Sequence, residues 1–315
     1  MTGDVGTWPH RHLLDVDSLS RAEIERLLDL AVELRAALTS AETAERLRSV
    51  VIGLAFYEAS TRTRVSFEVA GRALGATVVD LDVVGSSVSK GESLLDTLRT
   101  LQRTGASLIV LRHPASGAPY LAARGADAAI VNAGDGQHAH PTQALADALT
   151  LREAIGGPDG SLDGRKIAIV GDILHSRVAR SNLHALLALG ASVWLAGPPA
   201  YVRGFDAWPG VTVARLDEAL DGADAVMTLR IQLERAAGGG VPSLAEYARV
   251  WGLTEERLAL ARPDAPVLHP GPTNEGVEIS AELAASPRSL IGRQVENGVP
   301  VRMAVLSLLA SAAHP

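Results

Sequence analysis

Cysteine is absent from the 315 residues. That excludes disulfides and thiolate zinc sites within the chain and agrees with a reducing cytoplasm. An excess of basic residues is also missing: 29 Lys and Arg stand against 36 Asp and Glu, a net charge of −7. A general nucleic-acid or membrane-surface binder usually shows the opposite balance, so any anion site here must be local. Long apolar runs are lacking too. The start, "MTGDVGTWPHRHLLD", has no signal-like core, and "MAVLSLLASAA" near the end is too short to span a bilayer. No short-period repeat or low-complexity tract breaks the chain. The expectation is a cytoplasmic protein with 47% hydrophobic residues, ample for two packed domains.

Strand and helix patterns alternate along the whole chain. "SLSRAEIERLLDLAVELRAAL" spaces Ile24, Leu27, Leu28, Ala31 and Leu34 at helical intervals, with Ser20 and Glu23 as a capping pair. "SVVIGLAFY" reads as a buried strand, and "TRTRVSFEVAGRALG" as a helix with Val65, Val69, Ala73 and Leu74 on its apolar face and Gly75 at its end. Further strands follow at "TVVDLD", "SLIVLRH", "AAIVNAG", "KIAIVGD", "SVWLAGP", "VTVARL" and "AVMTL". Such alternation predicts an α/β protein with two doubly wound parallel-sheet domains. The glycine-rich segment 156–166 is the candidate linker, so the expected domains are 1–150 and 151–294, with a C-terminal helix at 295–315 returning to the first. "ERAAGGGVPSLAEY" reads as a long mobile loop; with the glycine-flanked "SVSKGES" it is expected to close over bound substrates.

Chemistry concentrates at strand ends and helix starts. "EASTRTRVSFE" puts Arg62 and Arg64 into the opening turn of a helix, where unpaired N–H groups already carry partial positive charge. Either Glu58 and Glu68 pair with them, or an anion is expected; Ser60, Thr61, Arg62 and Thr63 together suit a phosphate. Lys90 sits in "SSVSKGES" near Ser86 and Ser87, a weak signal alone. Arg112 and His113 end a strand, where open parallel sheets bind ligands. "HAHPTQ" supplies His138, His140 and Gln143. Its His-x-His spacing lacks a third ligand, so no metal is expected, and His140 is better suited to donate a hydrogen bond to a carbonyl oxygen. "VGDILHSR" opens a βαβ unit but lacks the G-x-G-x-x-G of dinucleotide binders; Arg177 there suits a carboxylate. Arg230 and Gln232 follow another strand, and in "HPGPTNEG" the backbone carbonyls of Gly271 and Pro272 are available to an amide NH₂.

Taken in order, "FYEASTRTRVSFE", "SSVSKGES", "VLRHP", "HAHPTQALADALT", "MTLRIQ", "HPGPTNEGVEI" and "QVENGVPVRMAVL" resemble the aspartate/ornithine carbamoyltransferase family, and within it the catalytic chain that takes aspartate. The resemblance spans almost the whole chain. Ala59 stands where the family often has proline, and "HPGP" replaces the "HPLP" of some members. It implies a homotrimer with shared active sites, bound to carbamoyl phosphate and L-aspartate, with no cofactor. It also leaves room for a regulatory chain or a dihydroorotase as partner. By matching motif, Ser60, Thr61, Arg62 and Thr63 would cradle the phosphate, while Thr63, Arg112 and His140 would contact the carbonyl oxygen. Gln143, Gly271 and Pro272 would hold the carbamoyl NH₂ end. Arg177, Arg230 and Gln232 would bind aspartate, with Lys90 and Ser86 or Ser87 reaching in from a neighbouring subunit. The rival readings are an ornithine-specific member, disfavoured by these cations and by the missing "HCLP" turn, and a non-catalytic scaffold or nucleotide-binding regulator.

Overall fold

The computed structural model describes residues 8–38, 40–83, 91–231 and 243–313. Two compact units emerge: residues 1–142 with 298–315, and residues 143–297.

The first unit opens with α1 (Arg21–Ala36). Ser20 and Glu23 form the expected reciprocal capping box, and Ile24, Leu27, Leu28, Ala31 and Leu34 are all buried. There follow α2 (Ala41–Glu45), β1 (Val51–Phe56), α3 (Thr61–Ala73), β2 (Thr77–Leu81), α4 (Leu94–Arg103), β3 (Ala106–His113), α5 (Ala118–Gly125) and β4 (Ala129–Asp135). The strands form a parallel sheet in the order β2-β1-β3-β4. Leu13 covers the outer side of β4, its N–H donating to the Ile130 carbonyl at 2.9 Å and its carbonyl accepting from Asn132 N–H at 2.8 Å. Ala55, Ile109, Leu111 and Ile130 from the sheet pack with Leu98, Leu101 and Ala122 from the helices. β1, β3 and β4 are buried on both faces, as parallel strands between helices should be. β2, on the edge, is largely exposed.

On α3 the expected apolar face is corrected. Thr63, Ser66, Phe67, Ala70 and Gly71 are buried, with Leu74 just beyond, whereas Val65 and Val69 remain 48% and 44% exposed. The helix turns inward the side that carries its one aromatic ring, with small residues around it. Gly71 has no room for a side chain: a Cβ there would lie 2.8 Å from Val78 and 3.1 Å from Ile52. That close approach fixes which face meets the sheet.

The second unit contains β5 (Lys166–Val170), α7 (Arg177–Ala188), β6 (Ser192–Ala196), α8 (Pro199–Val202), β7 (Val211–Val213), α9 (Leu216–Leu220), β8 (Ala225–Thr228), α10 (Leu244–Trp251), α11 (Glu255–Leu258), β9 (Val267–Leu268) and α12 (Ala281–Ala284). Its parallel sheet runs β7-β6-β5-β8-β9. Ala168, Val170, Val226 and Val267 form a core with Leu216, Leu220, Leu253, Leu258 and Ile279.

The chain passes between units twice, both times within a helix: α6 (Pro141–Ile155) at Thr142/Gln143, and α13 (Ile291–Ala313) at Asn297/Gly298. The glycine-rich segment 156–166 therefore lies inside the second of these compact units. Its glycines serve turns there; Gly157, Gly160 and Gly164 all have positive φ. α13 begins before the expected 295 and continues through Pro300, which has no N–H for the carbonyl one turn back. "SLAEY", expected within a mobile loop, contributes the Ser243 cap and first turn of α10. The rest of that loop and the "SSVSK" loop lie outside the described residues.

Candidate active site

In each sheet the strand order reverses direction at one place, between β1 and β3 in the first and between β5 and β8 in the second. At such a switch point the following segments diverge to opposite faces and leave room at the carboxyl edge. The candidate residues follow these strands. β1 leads to Glu58–Thr63, β3 ends on Arg112, and β4 leads to His140. β5 leads to Asp172–Arg177, β8 to Arg230, and β9 to His269–Pro272.

In the first unit Ser60 caps α3, its hydroxyl accepting from Thr63 N–H at 3.4 Å. No acidic residue stands in this helix's first turn. Arg64 pairs with Asp80 at 3.4 Å, and Glu68 pairs with Arg72 at 3.0 Å. Glu58 is engaged by Arg112 at 3.3 Å. The two glutamates that were the local alternative to an anion are thus taken by other arginines. Arg62 is exposed and has no ion pair or hydrogen bond among the described residues.

Arg112 is 8% exposed. Its Nη1 donates to the Ala133 carbonyl at 3.2 Å and its Nη2 to Glu58, so the guanidinium is held in one orientation. Thr63 Oγ1 and His140 Nε2 lie 3.4 Å apart, both residues buried. One polar cluster therefore combines a hydroxyl and an imidazole, and the same unit holds a fixed cation. His113, next to Arg112, has its imidazole pushed below the ordinary value by burial, and its Nδ1 accepts from Ala115 N–H.

Asp135, fully buried, holds the loop that delivers His140. It accepts from the backbone N–H of Gly117 at 2.7 Å and of Ala139 at 3.0 Å, and from the Asn132 amide at 2.8 Å. His138 Nδ1 lies 3.1 Å from it. His138 is thereby a partner of Asp135, while His140 faces Thr63. The sequence reading missed Asp135; a carboxylate between a strand and a His-x-His segment is its only sequence trace.

In the second unit α7 repeats the device of α3. Ser176 caps it, accepting from Ala179 N–H at 3.1 Å, its first turn has no acid, and Arg177 is its first residue, 5% exposed. Among the described residues seven helices, α1, α2, α4, α9, α10, α11 and α12, carry an acid in the first turn, the arrangement a helix dipole favours, whereas α5, α6, α8 and α13 share the acid-free start of α3 and α7. Asp172 accepts from His175 N–H at 3.2 Å and lies 2.8 Å from His175 Nδ1, shaping the turn before Arg177. Gly171, at φ +134°, lets this turn leave β5: a Cβ there would stand 2.8 Å from the Leu229 carbonyl oxygen. Arg230, half-buried, follows β8. Buried Tyr247 closes the neighbouring core with Tyr201 and Ile231, and burial together with Glu278 pushes its hydroxyl pKa up.

The turn after β9 is held by side chains. His269 Nδ1 accepts from Gly271 N–H at 2.8 Å, leaving Nε2 to donate to Glu278 at 3.2 Å. Glu278 also accepts from Asn274 N–H at 2.6 Å. Gly271 and Pro272 thus present their carbonyls from a clamped backbone. Gln143, partly exposed near the start of α6, donates from Nε2 to Asp147 at 2.8 Å. Lys90, Ser86, Ser87 and Gln232 lie outside the described residues.

Two family models match the chain: the aspartate/ornithine carbamoyltransferase carbamoyl-P binding domain over residues 11–153, and the Asp/Orn binding domain over residues 163–309. The chain belongs to the aspartate/ornithine carbamoyltransferase family. Among the relatives it resembles is the aspartate carbamoyltransferase catalytic subunit of Roseiflexus sp. (strain RS-1), 51% identical over 306 residues and 95% of each chain. That of Clavibacter sepedonicus is 54% identical over 310 residues, 96% of this chain and 98% of the other. Among solved structures, aspartate transcarbamoylase from Trypanosoma cruzi in complex with N-(phosphonacetyl)-L-aspartic acid superposes with a TM-score of 0.83 at 34% identity, covering 94% of each chain. Ornithine carbamoyltransferase from Thermus thermophilus gives the same TM-score, 0.83, at 31% identity, covering 95% of this chain and 99% of that one. The carbamoyltransferase fold is therefore common to both acceptor classes, and the choice between them rests on residues.

Proposed function

We propose that this chain transfers the carbamoyl group of carbamoyl phosphate to the amine of L-aspartate, releasing N-carbamoyl-L-aspartate and phosphate, an early step of pyrimidine biosynthesis. The observation that carries the donor half is the acid-free start of α3, where Arg62 stands beside Ser60, Thr61 and Thr63 while Glu58 and Glu68 are bound elsewhere. Neutralising a phosphate there relieves the charge conflict. Thr63, Arg112 and His140 bind the carbonyl oxygen and stabilise the oxyanion that develops on it. Gln143 and the carbonyls of Gly271 and Pro272 bind the NH₂ end. Arg177, Arg230 and Gln232 take the two carboxylates of aspartate, joined by Lys90.

The uncharged α-amine of aspartate attacks the carbonyl carbon, a tetrahedral intermediate forms, and the C–O bond to phosphate breaks. The leaving phosphate accepts the amine proton, so no separate general base, metal or redox cofactor is needed. Positioning of this kind is worth about 7–11 kcal/mol of the barrier.

Ornithine is the competing acceptor. Its side-chain ammonium would meet Arg177 and Arg230, whereas the second carboxylate of aspartate needs them, and the relatives sharing about half of all residues are aspartate enzymes by name. Offering carbamoyl phosphate with each amine and measuring the carbamoylated product decides the matter: aspartate alone should react. Product from ornithine instead, or from neither, refutes the proposal.

The working unit is proposed to be a cytoplasmic homotrimer in which Lys90 and Ser86 or Ser87 serve a neighbouring subunit. Val65, Val69 and Val79 support it, exposing 48%, 44% and 40% of their surface on adjoining α3 and β2. A second copy of the chain would cover such a patch. Among the described residues, no helix is long and apolar enough to cross a membrane.

A further inference from the structure

Three primary amides converge on one buried carboxylate in the second unit. Asp147, on α6 and fully buried, accepts from Gln143 Nε2 and Gln294 Nε2 on Oδ1 and from Asn182 Nδ2 on Oδ2, each at 2.8 Å. A carboxylate with donors on both oxygens dictates which end of each amide faces it. The NH₂ groups turn inward, and every amide oxygen points away.

The consequence differs for each amide. Gln294 spends its oxygen inside the protein, Oε1 accepting from His269 N–H at 2.9 Å, and His269 in turn clamps Gly271. Gln143 sits only one helical turn from Asp147 and is partly exposed, so its Oε1 is the end left for a ligand. One carboxylate therefore does two things. It sets Gln143 with an acceptor outward, and through Gln294 it ties α6 to the turn that carries the Gly271 and Pro272 carbonyls.

We infer that Asp147 is a positioning residue that makes the carbamoyl end of the site selective for an NH₂ group, by fixing Gln143 as an acceptor alongside two backbone acceptors. The inference rests on the functional reading above. An unanchored glutamine amide presents either end, and its NH₂ would repel the NH₂ of the donor. Anchored, the site offers acceptors only, and a methyl group in place of NH₂ leaves them unmatched.

The test compares carbamoyl phosphate with acetyl phosphate, which carries methyl where the former carries NH₂, by titration calorimetry and by kcat/KM with the full-length protein. Wild type should prefer carbamoyl phosphate. Asp147→Leu, which accepts on neither side, should lower that preference about tenfold or more, mostly through the carbamoyl compound. Asp147→Asn with Asn182→Asp, in which the new carboxylate holds the NH₂ at 147 and leaves the amide oxygen there to Gln143, should retain part of it. A folded Asp147→Leu protein that keeps the wild-type preference overturns the inference while leaving the functional reading standing. Wild type that binds neither compound overturns both. Should Asp147→Leu not fold, a crystal structure of wild type with carbamoyl phosphate decides: Gln143 still bonded to Asp147 upholds the inference, and Gln143 swung away from it overturns it.

Discussion

Arg112 Nη2 lies 3.3 Å from Oε1 of Glu58, an ion pair joining the end of β3 to the segment after β1. The guanidinium is 10% exposed and the carboxylate 26%, so the pair is shielded from water and holds its geometry. Glu58→Ala should release Arg112 to rotate and lower kcat/KM about 10- to 100-fold, with Glu58→Gln recovering part of the loss. Steady-state kinetics on both variants measures this; unchanged kinetics for Glu58→Ala would show that Arg112 needs no such guide.

Arg62 adds a positive charge to the already positive start of α3. With no acid in the first turn of α3, removing this cation should stabilise the ligand-free chain by about 0.3–1 kcal/mol at low salt. Arg62→Ala should therefore melt slightly higher in urea while binding carbamoyl phosphate at least tenfold more weakly. Normal affinity and turnover in this variant would rule out the phosphate grip.

The acid-free start of α3 was legible in the sequence because capping chemistry is local: the Ser60 cap and the two arginines lie within a few residues. Strand ends were equally legible, since apolar runs of β1, β3, β5 and β8 stop abruptly at polar residues. What sequence did not reveal depends on contacts distant along the chain. The face of α3 is chosen by Gly71 meeting Ile52 and Val78, not by the spacing of Val65 and Val69. Asp147 looks like an ordinary acid until the fold gathers its donors from α6, α7 and α13, and Asp135 until Gly117 joins its own neighbours Asn132 and Ala139. β9, only two residues long, is defined by its pairing with β8 rather than by any periodicity.

Val69→Asp should shift the protein to a smaller assembly, because it puts a charge into an exposed apolar patch proposed as a subunit contact. Mass measurement of the native protein checks it. A trimer of undiminished stability would move the contact elsewhere.

Acidity should reveal Asp15. Burial, reinforced by a proton shared with Asp17, raises its carboxyl to about 6 from the ordinary 3.8. The folded chain then holds this proton more tightly than the unfolded one. The resulting stabilisation is complete below about pH 4 and fades as pH rises through about 6. Urea unfolding across this range should show Asp15→Asn lacking that decline relative to wild type; parallel curves would count against it.

The helix α13 also dictates an order of events during synthesis. Val301, Met303, Val305, Leu306 and Leu309 are buried, residues from Gly298 onward belong to the first unit, and Arg302 stacks over Phe67 at 5.2 Å. An emerging chain therefore reaches the ribosome exit with its opening 142 residues still missing a share of their interior. The middle segment, 143–297, is available in full sooner. The unit begun first is the one finished last, and a nascent chain stalled before residue 298 would display an unfilled apolar surface to chaperones.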